Sequence, residues 1–214
     1  MDEEISIINN ETRKEKIVNF FLNNKKKLIS IIIIIIIIPV AFFSYQTYLS
    51  DQKKRLADRY NSAIINYNNG NNLEVISIMK KIVEDKDKTY SPLALYFLID
   101  NNIIPENKEI NRLFNILIKE TDLEKEIKNL LIYKKGLLNS DFTTENELIE
   151  ILNPVINSDS IWKSHSLHLI AEFFYFKGEK NKAKEFYTEI TTLKNSNPNI
   201  LNKARQRLIR DLSE

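Results

Sequence analysis

The most prominent pattern in the sequence is an uncharged apolar run from Leu28 to Tyr45, which reads LISIIIIIIIIPVAFFSY. Extended to Tyr48, it reaches about 30 Å as a helix, which is the thickness of the hydrocarbon core of a bilayer. Three lysines, Lys25–Lys27, stand at its start. Aromatic side chains cluster at its end, as an aromatic belt would, at Phe42, Phe43, Tyr45 and Tyr48. The pattern predicts a transmembrane helix over residues 28–48.

Two other interpretations fit this run less well. A cleaved signal peptide would have a shorter basic region and a small-x-small site after the apolar stretch. A buried core helix would have a polar face, and the eight consecutive isoleucines leave none. Pro39 falls within the run, where a kink is tolerated. We therefore expect an uncleaved anchor.

Basic residues on both sides of the run set the expected orientation. Six precede it, among them Lys25–Lys27 next to the membrane, and four follow it within a short distance. The positive-inside rule favours a cytoplasmic tail over residues 1–27 and a large domain over residues 49–214 outside. The reversed orientation stays open, because long domains cross membranes largely regardless of charge. The run Lys53-Lys54-Arg55 either contacts anionic headgroups or forms a solvated helical turn.

The remaining chain carries a helical pattern that recurs. Four segments have apolar residues at i, i+3, i+4 and i+7, which places them on one face of a helix. They begin at Val75, Ile110, Leu148 and Ala183, with spacings of 35, 38 and 35 residues. A second helical segment precedes each of them. The pattern predicts about four helical hairpins.

Turn and cap residues punctuate these hairpins. Gly70 and Gly178 fall between the two helices of their units, where a tight turn favours a permissive backbone. Residue pairs with the spacing of helix caps mark several helix starts: Ser91-Pro92, Asn197-Pro198, Thr144 with Glu147, and Thr121 with Glu124. A last helix, near Pro198 to Leu212, is expected to close the array as a capping helix.

A period near 35 residues with two helices per unit resembles the tetratricopeptide repeat. The fourth unit matches its pattern best, at Leu167, Ile170, Ala171, Phe174, Gly178, Ala183, Tyr187 and Ile190. The other units match less well, so the exact repeat boundaries stay open. The resemblance implies an all-α fold, in which a single N-terminal transmembrane helix precedes a tetratricopeptide-like α-solenoid of about four hairpins plus a C-terminal capping helix.

In such a solenoid the first helices line a concave face, which serves as the binding groove. Carrying over the groove-facing positions of the repeat gives Tyr60, Ile64, Tyr67, Ser91, Leu95, Leu98, Leu130, Tyr133, Leu137, His165, His168, Glu172 and Tyr175. This lining is apolar and rich in tyrosine, which suits a protein-binding surface. The alternative for each residue is an ordinary core position or one covered by the last helix.

Composition argues against several kinds of function. A net charge of +2, from 31 basic and 29 acidic residues, disfavours nucleic-acid binding. Three glycines leave no phosphate-cradling loop, and the absence of cysteine excludes thiolate metal sites and a cysteine nucleophile. His165, His168 and Glu172 share a helix face, but this spacing is a weak indication of a metal site. We expect no metal, no cofactor and no catalytic residue, and therefore no enzyme.

The whole arrangement resembles the YfgM-like inner-membrane proteins of Gram-negative bacteria. The features that carry this resemblance are the tail DEEISIINNETRKEKIVNFFLNNKKK, the single anchor, and a final unit reading IWKSHSLHLIAEFFYFKGEKNKAKEFYTEI. The resemblance implies a periplasm-facing domain, an association with the SecYEG translocon, and contact with periplasmic chaperones such as PpiD. The alternatives are a scaffold for another envelope complex, such as division or cytochrome maturation, and a membrane-tethered enzyme.

Overall fold

The computed structural model describes residues 2–70 and 72–212, and these form helices joined by short turns, with no strand among them. The helices are α1 (Asp2–Asn68), α2 (Asn72–Glu84), α3 (Tyr90–Asp100), α4 (Asn107–Asn115), a π-helical segment (Ile116–Glu120), α5 (Lys125–Asn139), α6 (Glu145–Ile156), α7 (Lys163–Phe176), α8 (Lys180–Thr192) and α9 (Pro198–Arg210). The predicted all-α fold class is confirmed. Met1 and Glu214, which bound the predicted tail and repeat domain, lie outside the described residues.

The chain divides into two compact units, residues 1–55 and residues 56–214. The first unit contains the apolar run, whose side chains are largely exposed; Ile35 is 62% exposed and Phe43 is 68% exposed. Pro39 lies within α1 and does not end it. Among the described residues, α1 is the one helix long and apolar enough to cross a membrane. The prediction of such a helix is confirmed, while its orientation and its membrane stay predictions.

The second unit has a helix at each segment that the periodicity predicted. Consecutive helices from α2 to α9 contact one another. Helices two positions apart also meet, at α2 with α4, α5 with α7, and α7 with α9. Each helix therefore packs against near neighbours in sequence, in the order expected for successive hairpins and a last helix.

Two apolar clusters form the interior of the second unit. The first runs from Ala63 near the end of α1 to Leu131 on α5, and the second runs from Ile132 on α5 to Leu212. Leu131 and Ile132 are neighbours in sequence and point about 100° apart on the helix, so α5 serves both clusters. Ile118 on the π-helical segment packs against both.

Four of the predicted turns and caps are formed as expected. Gly70 and Gly178 have φ values of 86° and 81°, the left-handed region that favours glycine. The hydroxyl of Thr144 accepts from the backbone N–H of Glu147, whose carboxylate accepts from the N–H of Thr144, so the capping box is complete. The side chain of Asn197 caps α9 by accepting from two backbone N–H groups.

Two predicted caps are wrong. Ser91 lies inside α3, where its hydroxyl donates to the Ile82 carbonyl, and the Asp87 carboxylate caps this helix by accepting from the backbone N–H of Tyr90. Thr121 ends the π-helical segment instead of opening α5, and its hydroxyl donates to the carbonyl of Ile116. Both errors concern where a helix begins: α3 begins at Tyr90, before Ser91, and α5 begins at Lys125, with Glu124 rather than Thr121 as its N-cap residue.

Candidate protein-interaction groove

A groove lies between α5, α7 and α9, with a volume of about 560 Å³. Its lining, which we call the C-terminal groove, consists of Tyr133, Leu137, His168, Leu169, Glu172, Phe176, Lys203, Gln206, Arg207 and Arg210. A second depression of about 340 Å³ shares Leu169, Glu172 and Phe176 with it and continues to Ser140 and Asp141. The two depressions therefore form one continuous surface feature.

Each helix contributes one face to this groove. The α9 residues stand at i, i+3, i+4 and i+7, beginning at Lys203, so they share a face of that helix. On another face of α9, Ala204 is fully buried, and Ile200 and Leu208 pack against the second core cluster. The core thus fixes the direction in which the polar side chains of α9 point.

Glu172 is the centre of a polar network within the groove. Its carboxylate accepts two hydrogen bonds from Arg207, at 3.0 and 2.9 Å, and one from the hydroxyl of Tyr187, at 2.6 Å. Burial opposes ionisation of Glu172, but the hydrogen bonds from Arg207 and Tyr187 hold its pKa below the ordinary value. Arg207 also bonds Asp211 at 2.9 Å and lies 4.4 Å from the ring centre of Tyr175.

The two histidines lie on α7, the helix that carries Glu172. Burial lowers the pKa of both His165 and His168 below the ordinary value of 6.5. Nε2 of His168 is 3.7 Å from Oε1 of Glu172, too far for a hydrogen bond. The ring of His165 contacts the stacked rings of Tyr133 and Trp162. In the described part of the chain, no three His, Asp or Glu side chains form a group that could hold a metal ion.

The lining of the groove also contains apolar side chains that are open to solvent. Phe176 is 77% exposed and Leu137 is 49% exposed, while Leu169 between them is half-buried. Single exposed apolar side chains are common on protein surfaces, but these adjoin one another along one groove. These side chains would lose contact with water if a partner segment bound there.

The structure brings six of the predicted site residues together. Tyr133, Leu137, His168 and Glu172 line the C-terminal groove, and His165 and Tyr175 contact its lining residues. Tyr60, Ile64 and Tyr67 lie elsewhere and pack, half-buried, against the first core cluster. Tyr60 meets Tyr90 and Tyr67 meets Phe97, with ring centres 5.9 and 5.2 Å apart.

Three positions on α3 were assigned wrongly to a groove. Leu95 and Leu98 are fully buried in the first core cluster, and Ser91 is buried as well. The helix reads YSPLALYFLID, with apolar residues on more than one face. The groove-facing positions of the tetratricopeptide repeat, when transferred to α3, therefore could not distinguish the core face of this helix from an exposed face. Leu130, the remaining predicted position, is half-buried on α5.

The sequence interpretation missed the contribution of α9. Lys203, Gln206, Arg207 and Arg210 are four of the ten residues that line the groove, although this helix was expected only to close the array. A signal was present, because these four polar residues repeat at helical spacing and α9 carries no acidic residue. The exposed Phe176 was missed because it follows a run of apolar residues that belong to the core.

Comparison with known proteins gives no match to this chain. No protein-family model matches it, and neither the curated proteins nor the solved structures include one that does. The groove and the helices around it are therefore the basis for a functional proposal.

Proposed function

We propose that this chain is a membrane-anchored protein-interaction module without catalytic activity, and that the C-terminal groove is its binding surface. The observation that carries the proposal is that the exposed apolar side chains of Leu137 and Phe176 line one groove together with the polar side chains of α9. Interfaces of this kind combine apolar anchors with a polar rim. The long apolar helix α1 supports attachment to a bilayer.

In this proposal the chain crosses the inner membrane once. The tail over residues 1–27 is cytoplasmic, and the helical domain lies in the periplasm as a tetratricopeptide-like solenoid closed by α9. The excess of basic residues before the apolar run supports this orientation. The succession of helices that pack on near neighbours supports the solenoid.

The resemblance to the YfgM-like proteins supplies the proposed partners. The chain would act as an accessory factor at the SecYEG translocon and link translocated proteins to a periplasmic chaperone such as PpiD. Tethering beside the translocon raises the effective concentration of emerging segments, so weak binding in the groove would suffice.

Site-directed photocrosslinking in intact membranes tests the proposal. A photoreactive amino acid replaces Phe176 or Leu137, and captured proteins are identified by mass spectrometry. Leu73 on α2 is the matched control, because it is 86% exposed and lies outside the groove. We expect translocon subunits, a membrane-bound chaperone or secretory precursors from the groove positions and not from Leu73.

Other results would change the assignment. Capture of a single division or cytochrome-maturation complex would keep the groove as a binding surface but move the function to that complex. Capture of the same proteins from Leu73 as from Phe176, or of none from either groove position in an inserted chain, would contradict the groove as the binding surface.

A further inference from the structure

The charges within the C-terminal groove are not balanced. Lys203, Arg207 and Arg210 bring three cations to one face of α9, and Glu172 and Asp211 are the carboxylates that pair with them. Counted over the residues that the structure describes, one positive charge is therefore left over on this face of α9. An excess of one sign in a cleft attracts a ligand group of the opposite sign.

Of these three cations, Lys203 is the one that has no ion-pair partner among the described residues. The charge of Arg207 is already paired, since its guanidinium donates to both carboxylate oxygens of Glu172 and to Asp211. Arg210 is bonded to Asp211 through two nitrogens. Lys203 is exposed and lines the groove, so its ammonium group can bind a carboxylate from outside the chain.

The same groove is also lined by the apolar side chains of Leu137 on α5 and of Leu169 and Phe176 on α7. These side chains offer apolar contact area to a ligand, and the ammonium group of Lys203 attracts a negatively charged group of that ligand. A single unpaired cation is too little for a nucleic-acid backbone, which needs several phosphate contacts. A polypeptide segment can present one carboxylate and large apolar groups within a few residues.

We infer that the C-terminal groove recognises a polypeptide segment in which an acidic side chain lies beside large apolar side chains, with the carboxylate on Lys203 and the apolar groups against Phe176 and Leu137. This inference rests on the proposed function as a protein-interaction module and names the chemistry of its ligand. Segments of net positive charge are disfavoured, because the unpaired Lys203 repels them.

Binding of three labelled peptides to the full-length chain in nanodiscs tests this chemistry. The first peptide carries an aspartate between a leucine and a phenylalanine, the second has lysine in place of the aspartate, and the third has serines in place of the two apolar residues. Fluorescence anisotropy reports the binding. We expect the first peptide to bind at least about fivefold more tightly than either of the others.

Charge reversal identifies the cation. Lys203→Glu should reverse the preference, so that the lysine peptide binds more tightly than the aspartate peptide. Lys108→Glu is the matched control, because Lys108 is exposed on α4 outside the groove, and this variant should bind like the wild type. Circular dichroism checks that both variants keep their helical content.

Three results would overturn the inference. The lysine peptide could bind as tightly as the aspartate peptide, or Lys203→Glu could leave the preference unchanged. Self-association of the chain that is lost in Lys203→Glu would assign the groove to a second copy instead.

The crosslinking experiment separates this inference from the proposed function. If no peptide binds while crosslinks at Phe176 still identify partner proteins, the inferred ligand chemistry is wrong and the proposed function stands. If neither peptides nor crosslinked partners are found, the inferred ligand chemistry and the proposed function are both wrong.

Discussion

Glu172 links three helices, because Arg207 on α9 and Tyr187 on α8 both donate hydrogen bonds to its carboxylate on α7. A carboxylate that is largely withdrawn from water needs such partners. The sequence pattern placed Glu172 and Tyr187 on their helices. It could not show their meeting with Arg207, which lies 35 residues after Glu172 and reaches it only through tertiary packing.

Removing the guanidinium should destabilise the domain. We expect Arg207→Met to lower the free energy of unfolding by about 2 kcal/mol, because Glu172 keeps its charge and loses its strongest partner. Urea unfolding followed by the fluorescence of Trp162, the single tryptophan, measures this. The double variant Arg207→Met, Glu172→Gln should recover part of the loss.

An exposed ion pair provides the control for this variant. Lys125 and Asp159 are paired with side chains 60% and 86% exposed, so Lys125→Met should leave the unfolding midpoint unchanged. If Lys125→Met lowered the free energy of unfolding as much as Arg207→Met does, the network around Glu172 would contribute no more stability than an exposed ion pair.

The half-buried histidines give the domain a pH dependence of known sign. Burial lowers the pKa of His165 and His168 from 6.5, so the unfolded chain binds protons before the native protein does. The free energy of unfolding should therefore fall as the pH drops from about 7 to 5.5, and the loss should be smaller in His168→Gln. Urea unfolding over this range checks the slope. A flat profile in the wild type would contradict the burial of these rings.

At the scale of elements, periodicity located the helices that present one apolar face to the core, whereas α3 has apolar residues on more than one face. Ile110, Leu113, Phe114 and Leu117 are all buried, as their spacing predicted. The same spacing did not reveal the π-helical segment that begins at Ile116, since a π-turn needs only a local shift of hydrogen bonds. Turns without glycine were also hidden, as at Lys86 and Asn102, which have positive φ.

Gly136 marks a close approach between α5 and α6. A Cβ added to it would lie 2.6 Å from Cδ2 of Leu152, whose side chain is fully buried. The sequence pattern singled out Gly136 only as a small residue. Its structural reason is the packing of one helix against the next, which depends on the shape of both.

An added methyl group should therefore weaken this contact. Gly136→Ala gains about 1 kcal/mol from helix propensity but overpacks Leu152 at a cost of about 1 to 3 kcal/mol, so we expect a net loss near 1 kcal/mol. Gly136→Ala combined with Leu152→Val should be less affected, because the shorter side chain makes room. Urea unfolding measures both variants, and a more stable Gly136→Ala would show that Leu152 moves aside freely.

At the scale of the whole molecule, the apolar helix was the easiest feature to predict. A membrane span requires only length and hydropathy, and the run from Leu28 to Tyr48 has both without any tertiary partner. The groove was harder, because it needs three helices that lie far apart in the sequence. The groove-facing positions of the repeat included Tyr133 and Glu172, which line the groove, but they did not include Lys203.

Membrane attachment should depend on the isoleucine run. The wild-type chain should stay with membranes during alkaline carbonate extraction, and Ile34→Asp with Ile35→Asp should release it, because charges in the hydrocarbon core are costly. A C-terminal reporter that is active only in the cytosol should be inactive in the wild type. Activity of that reporter would contradict the periplasmic orientation.

The most direct test of the central proposal is a comparison of the proteins that co-purify with the chain from solubilised membranes. Phe176→Glu places a charge among the apolar side chains of the groove, and Leu73→Glu places the same charge at an equally exposed position elsewhere. We predict that a defined set of partners is lost with Phe176→Glu and retained with Leu73→Glu. Retention of the same partners by both variants would contradict binding through the C-terminal groove.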